Sequence, residues 1–200
     1  MLSRKSLGKK ISAVKERFSD WNSKRALTKF ESRTGVTKKA HAEADIRNQD
    51  TSFIHSDFGR TLAYYKPFHV LLKKFGGKLK GKSLLHLASS SGIFTSFLQS
   101  FGMKTIAFDS SEHAAEISKA IGNKKIVRGS APTKSITDSP KNRSLPFKDS
   151  SFDFFVSDNF LFSRYYYIDF NVNKVEHTST DVLNEIHRIL KPKGIGIVHL

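Results

Sequence analysis

Between Lys82 and Asp109 the spacing of apolar positions changes period twice. Ser83 to Ala88 is a short apolar run containing one histidine, of strand length, and it breaks into Ala88-Ser89-Ser90-Ser91-Gly92, a segment of turn composition. After Gly92, the residues Phe94, Phe97, Leu98 and Phe101 fall at i, i+3, i+4 and i+7, which predicts a helix with one buried face. Gly102 stands where its C-cap is expected. Thr105 to Phe108 then predicts a second strand, ending at Asp109. The whole reads as a βαβ unit, whose crossover handedness sets the small-residue loop and Asp109 at the same edge of a parallel sheet.

The pattern continues downstream. Ser110-Ser111 can cap a helix bearing Ala114, Ala115, Ile117 and Ile121, stopped by Gly122-Asn123. Lys125 to Arg128 predicts a third strand and Phe152 to Val156 a fourth. Thr178 to Asp181 opens a helix with Val182, Leu183, Ile186, Ile189 and Leu190, which Pro192 and Gly194 stop before a fifth strand, Ile195 to Leu200. Residues 131–146 read as an irregular loop rich in Pro, Ser, Thr and Lys.

Upstream, Leu7, Ile11, Val14, Phe18 and Trp21 predict a basic amphipathic helix that docks on the domain as a lid, lies on a membrane or acts as a transit peptide, and its Lys-rich, acid-containing composition favours docking on the chain's own domain. Leu27 and Phe30 extend that helix or begin another, and Gly35 ends it. Thr37 to Asp50 offers little to bury and reads as a weak helix or a linker. From Asp57 a second stripe runs through Phe58, Leu62, Tyr65, Phe68 and Leu72, interrupted by Pro67. These patterns divide the chain into a basic helical extension, residues 1–54, serving as a lid, and an α/β domain, residues 55–200.

Composition narrows the chemistry. With no cysteine, disulfides, thiolate zinc sites and a cysteine nucleophile are excluded, and no two of the eight histidines have helix-face metal spacing, so no metal is expected. No apolar run reaches membrane-spanning length and no secretory leader is visible, which gives an expectation of a cytoplasmic protein. The net charge of +16 is the outlier. It favours weak nucleic-acid association through counterion release, or it is simply a solvated basic surface.

Two features point to a nucleoside ligand. Small side chains in 88–92 let the backbone approach a ligand, with N–H groups at the helix start free to bond it. Asp109, 17 residues past Gly92, can accept hydrogen bonds from two ribose hydroxyls.

Residues 83–109, the segment Leu145-Pro146-Phe147-Lys148-Asp149-Ser150-Ser151-Phe152-Asp153, and Glu185-Ile186-His187-Arg188-Ile189-Leu190-Lys191-Pro192-Lys193-Gly194 together resemble class I S-adenosylmethionine-dependent methyltransferases, in the branch with an LPF-x-D-x-SFD segment. The resemblance covers roughly residues 55–200. It implies a three-layer, Rossmann-like α/β sandwich with a mostly parallel sheet, S-adenosyl-L-methionine as cofactor, and methyl transfer to an unidentified acceptor. The alternative is a non-catalytic, methyltransferase-like binding protein, with nucleic acid as its candidate ligand. The family has seven strands where five are predicted here, so the sequence reads as a fragment or truncated form with an exposed strand edge.

The family's D-x-G-x-G-x-G places hold His86, Ala88, Ser90 and Gly92 in this chain, so one glycine remains and the leading carboxylate is lost. Side chains at Ala88 or Ser90 carry strain if the backbone there needs a positive φ. The resemblance further assigns Asp109 to the ribose hydroxyls, Ser110 and Ala131 to the adenine pocket, and Ser157 to the sulfonium side. Tyr64 or Tyr65 is the candidate aromatic near the methionine end, Tyr65 being also part of the apolar stripe. Ser130 stands where an acid near adenine is common. Asp158, Asn159 and Tyr165 to Tyr167 are candidates for orienting an acceptor, no catalytic residue being assigned. Asp149 and Asp153 are expected to fix a turn.

Overall fold

Five strands, β1 (Ser83–Leu87), β2 (Lys104–Asp109), β3 (Ile126–Arg128), β4 (Phe152–Asp158) and β5 (Leu190–His199), pair in the order β3-β2-β1-β4-β5. Every pairing is parallel. The computed structural model describes residues 24–52, 54, 57–61, 79–129, 144–158 and 179–199. Its helices are residues 24–34 (α1), Val36–Ile46 (α2), residues 57–61 (α3), Ile93–Gln99 (α4), Glu112–Ala120 (α5) and Ser179–Ile189 (α6).

Alternation along the strands builds two cores. Leu84, Phe154 and Val156 face one side of the sheet, where they meet Ile93, Phe97 and Leu98 of α4, and Ile117 of α5. Leu85, Leu87, Phe108 and Phe155 face the other, against Ile186 and Ile189 of α6. Helices on both faces of a parallel sheet make the three-layer α/β arrangement.

The first core also takes in Leu27 and Phe30 of α1, and Val36, Ala40 and Ala44 of α2. The stretch that looked too polar to bury is therefore a packed helix. Its inward face is a stripe of small residues at i, i+4 and i+8, which bury closely while giving little hydrophobic signal. Gly35 sits between α1 and α2 with φ of 56°, and Glu31 turns back to accept the amide of Thr37 at 3.3 Å. Phe30 meets Phe97 edge-on, with ring centres 5.3 Å apart.

Several boundaries move. Ala88 leaves β1 because its φ is 54°. Phe101 is half-exposed, and α4 closes earlier through Gly102, whose amide donates to Gln99 O at 2.9 Å. After α6, β5 starts immediately at Leu190, not at Ile195, because Leu190 pairs with Phe152 and the Pro192–Gly194 stretch is absorbed as an irregularity in register.

The two later motifs form one clamp. Arg188 donates to Glu185 Oε1 at 2.9 Å, to Asp149 Oδ1 at 2.7 Å, and to the carbonyls of Phe147 at 2.8 Å and Leu145 at 3.1 Å. The Glu185 carboxylate beside it raises the Arg188 guanidinium further above its ordinary value. Asp149 thus anchors the segment before β4, while Asp153 does more than fix a turn. It takes the Ser83 amide at 2.9 Å, Lys82 Nζ at 3.1 Å and Lys191 Nζ at 2.9 Å, tying β1, β4 and β5 together.

Candidate functional site

Leu87 pairs with Phe108 on one side and Ser157 on the other, so the carboxyl ends of β1, β2 and β4 lie side by side. The loop after β1 crosses this edge. Ala88, Ser90 and Gly92 have φ of 54°, 50° and 73°, so three alternate residues are left-handed. This is backbone that favours glycine, yet Ala88 and Ser90 carry side chains, and each side chain held there costs about 1–2 kcal/mol. At Gly92 no substitute fits: a Cβ would fall against Ser118 Oγ and Asn123 Nδ2. Asn123, expected only as a helix stop, supports the loop from behind by donating to Gly92 O at 3.0 Å.

Two carboxylates hold the loop in front. Asp109 Oδ2 accepts the Ser90 amide at 2.8 Å, and its Oδ1 accepts the Ser111 amide at 3.0 Å. Asp57, from α3, accepts the Ser91 amide at 2.8 Å and the Ser91 hydroxyl at 2.5 Å through Oδ2. The amides of Ser90 and Ser91 are therefore engaged by the protein itself and do not add to the donors expected at the start of α4. Burial pushes both carboxyls above the ordinary range, more than the loop donors pull them down.

Asp57 is the residue that the sequence does not reveal. No fixed spacing links position 57 to position 91, and a lone Asp opening an amphipathic stripe looks like a helix cap. His86 is buried with Nδ1 2.9 Å from Thr95 Oγ1 and its ring edge-on to Phe94. Ser157 is fully buried at the end of β4, and its Oγ has no hydrogen-bond partner among the described residues. Ser110 is exposed beside Asp109. Tyr65, Ala131, Ser130, Asn159, Tyr165 to Tyr167 and the helix ending at Trp21 lie outside the described residues.

Residues 85–198, more than half of the chain, match the family model described as methyltransferase domain. The chain belongs to the methyltransferase domain family. A search of curated proteins returns no sequence match. Among solved structures, the methyltransferase-domain chain resembles the PH0226 protein of Pyrococcus horikoshii at 24% identity, covering 64% of this chain and 52% of that one, with a TM-score of 0.45. An S-adenosylmethionine-dependent methyltransferase of Mesorhizobium loti follows at 18%, 64%, 51% and 0.45. A SAM-dependent methyltransferase of Aquifex aeolicus gives 20%, 62%, 57% and 0.39. The match spans about half the length of each of these chains.

S-adenosylmethionine is the cofactor that membership of this family implies. The donor set of the methyltransferase domain fits it. Each Asp109 oxygen accepts one amide and retains capacity for a ribose hydroxyl, and the Ser157 hydroxyl is buried at the neighbouring strand end. Space is tighter: the cleft between Asp57, Arg60, His86 and Phe94 has about 10 Å³, room for about one water, so a ligand has to open it. Among the described residues there is no cluster of three potential metal ligands, and no helix long and apolar enough to cross a membrane.

Proposed function

We propose that this chain binds S-adenosylmethionine across the ends of β1, β2 and β4 and transfers its methyl group to an acceptor. The observation carrying this reading is Asp109, a carboxylate at the end of β2 pinned to the left-handed loop by the Ser90 amide. When bound, the cofactor supplies an electrophilic methyl on a sulfonium sulfur. Asp109 accepts the ribose hydroxyls, the 88–92 backbone bounds the methionine and ribose end, and Ser110 and Ala131 flank adenine. Ser157 stands on the sulfonium side, and Tyr65 is the candidate aromatic near the methionine end. No nucleophile from the protein is needed: alignment and exclusion of water lower the barrier to in-line displacement.

A second reading, a binding protein on the methyltransferase scaffold, is favoured by Ala88 and Ser90 in left-handed backbone and by the narrow cleft. One experiment separates them. The protein is incubated with methyl-labelled cofactor and pools of RNA, protein and small-molecule acceptors. Label entering one pool, and lost with Asp109→Ala, supports methyl transfer. Cofactor binding without label in any pool supports the second reading.

A further inference from the structure

The amino ends of the parallel strands carry a cavity of their own. Its volume is about 660 Å³, in the range of small-molecule sites, against about 10 Å³ for the cleft beside Asp57. The first residues of β1, β2 and β4 and the turn before β3 wall it, so it lies at the sheet edge opposite to Asp109. Lys104 and Asp109 stand at the two ends of β2, about 16 Å apart along the strand.

The lining has two kinds of surface. Ile106, Phe147 and Phe152 form an apolar floor, and Phe147 stands edge-on to Phe108 and Phe152 with ring centres 5.9 and 5.2 Å apart, which keeps the aromatic wall in place. Lys104, Lys124 and Lys125 form a rim, the Ala107 amide donating to Lys125 O at 3.0 Å and so holding the approach to β3 beside β2. No carboxylate lines the cavity, and the three lysines have no ion-pair partner among the described residues. Thr105, also in the lining, is buried, and its hydroxyl has no hydrogen-bond partner among the described residues. Exposed lysines alone hold a small inorganic ion weakly, because water and salt screen them. A neutral ring covers the floor but leaves the rim charges uncompensated. A ligand with both parts gains from both, the lysine stems lying along its ring while their ammonium groups reach its charge.

We infer that this cavity binds a small aromatic anion, its ring on Phe147 and Phe152 and its charge among the three lysines, with the Thr105 hydroxyl donating to it. The distance from Asp109 makes that molecule a second ligand, separate from anything held at the carboxyl edge, and the inference stands whether or not the domain transfers methyl groups.

The test uses anilinonaphthalene sulfonate, a fluorescent aromatic anion, with the full chain. Wild type should bind it saturably, one to one, and about tenfold or more tightly than uncharged phenylnaphthylamine. Lys104→Glu and Lys125→Glu should each weaken it about fivefold or more, and Thr105→Val about threefold, whereas Lys39→Glu, an exposed reversal on α2, should change it less than about twofold. Thermal melts establish that each variant folds. Excess S-adenosylhomocysteine should leave the fluorescence in place. No saturable binding, affinity unchanged in all three cavity variants, or an equal loss in Lys39→Glu overturns the inference. Displacement by S-adenosylhomocysteine also overturns it, by putting the dye at the carboxyl edge, and leaves the proposed function standing.

Discussion

Replacing Ala88 with glycine should stabilise this protein, against the usual direction of alanine-to-glycine changes. At an ordinary backbone position the substitution costs about 0.5–1 kcal/mol, because glycine loses more freedom on folding. At Ala88 the backbone has φ of 54°, where a Cβ costs about 1–2 kcal/mol. Subtracting one from the other leaves a net gain of about 0–1.5 kcal/mol, centred near 0.8, or roughly 2–3 °C in Tm at the centre for a chain of this size. Ser150 provides a control, since its φ is 51° in a turn before β4 and it does not line the cleft. Ala88→Gly and Ser150→Gly should both raise the urea midpoint without changing the m-value. Only Ala88→Gly should tighten cofactor binding, because only there does removing the methyl widen the space over the loop. Loss of stability at Ala88 by the ordinary helix or strand amount would refute the left-handed assignment. A gain in stability with unchanged affinity would separate strain from ligand access.

Four further outcomes follow from the packing. Gly92→Ala should destabilise by about 3 kcal/mol or more in urea unfolding, since its Cβ meets Ser118 and Asn123 on top of a φ of 73°; a loss under about 1 kcal/mol contradicts that crowding. Arg188→Ala should cost about 2 kcal/mol and increase proteolysis before β4, because Glu185 and the carbonyls of Leu145 and Phe147 lose their shared donor. For acid unfolding, burial raises the Asp153 carboxyl, but the Ser83 amide and hydroxyl and the two lysines outweigh it and hold it well below the ordinary range. Its stabilisation is therefore present above the unfolded value of about 4 and is lost as pH falls below it, so Asp153→Asn should flatten the stability profile there. Asp57 and Asp109 act oppositely. Their raised values mean that the cost of burying charge is relieved as pH falls through them, above pH 4, so Asp57→Asn should reduce the rise in stability on mild acidification.

The alternation and helix period of residues 83–128 were legible because large apolar residues such as Leu84, Leu85, Leu87, Phe97, Leu98, Phe108 and Ile117 mark the buried faces there, and the breaks carry glycines or a capping serine. Ser111 does cap α5, accepting from Ala114 at 3.2 Å. Helix α2 was hard to read because alanine buries as well as valine in a close helix contact while scoring weakly as hydrophobic. The start of β5 was missed for a different reason: Pro192 and Gly194 are breakers by local rule, yet pairing of Leu190 with Phe152 overrides them. In the site, Asp109 was legible because it ends a strand at a fixed distance from the loop. The left-handed φ at Ala88 and Ser90 could be anticipated only from the alternate-glycine pattern of the resembled family. Asp57 was invisible, since its contact with Ser91 spans 34 residues and depends on how α3 packs over the sheet edge.

The central claim, that the edge around Asp109 is a cofactor site, is tested most directly by calorimetric titration of the wild-type chain and Asp109→Ala with S-adenosylmethionine. Saturable one-to-one binding by wild type, weakened about tenfold or more in the variant, is the predicted result. No binding heat from wild type at millimolar ligand across several temperatures, or equal affinity for a folded Asp109→Ala, contradicts it.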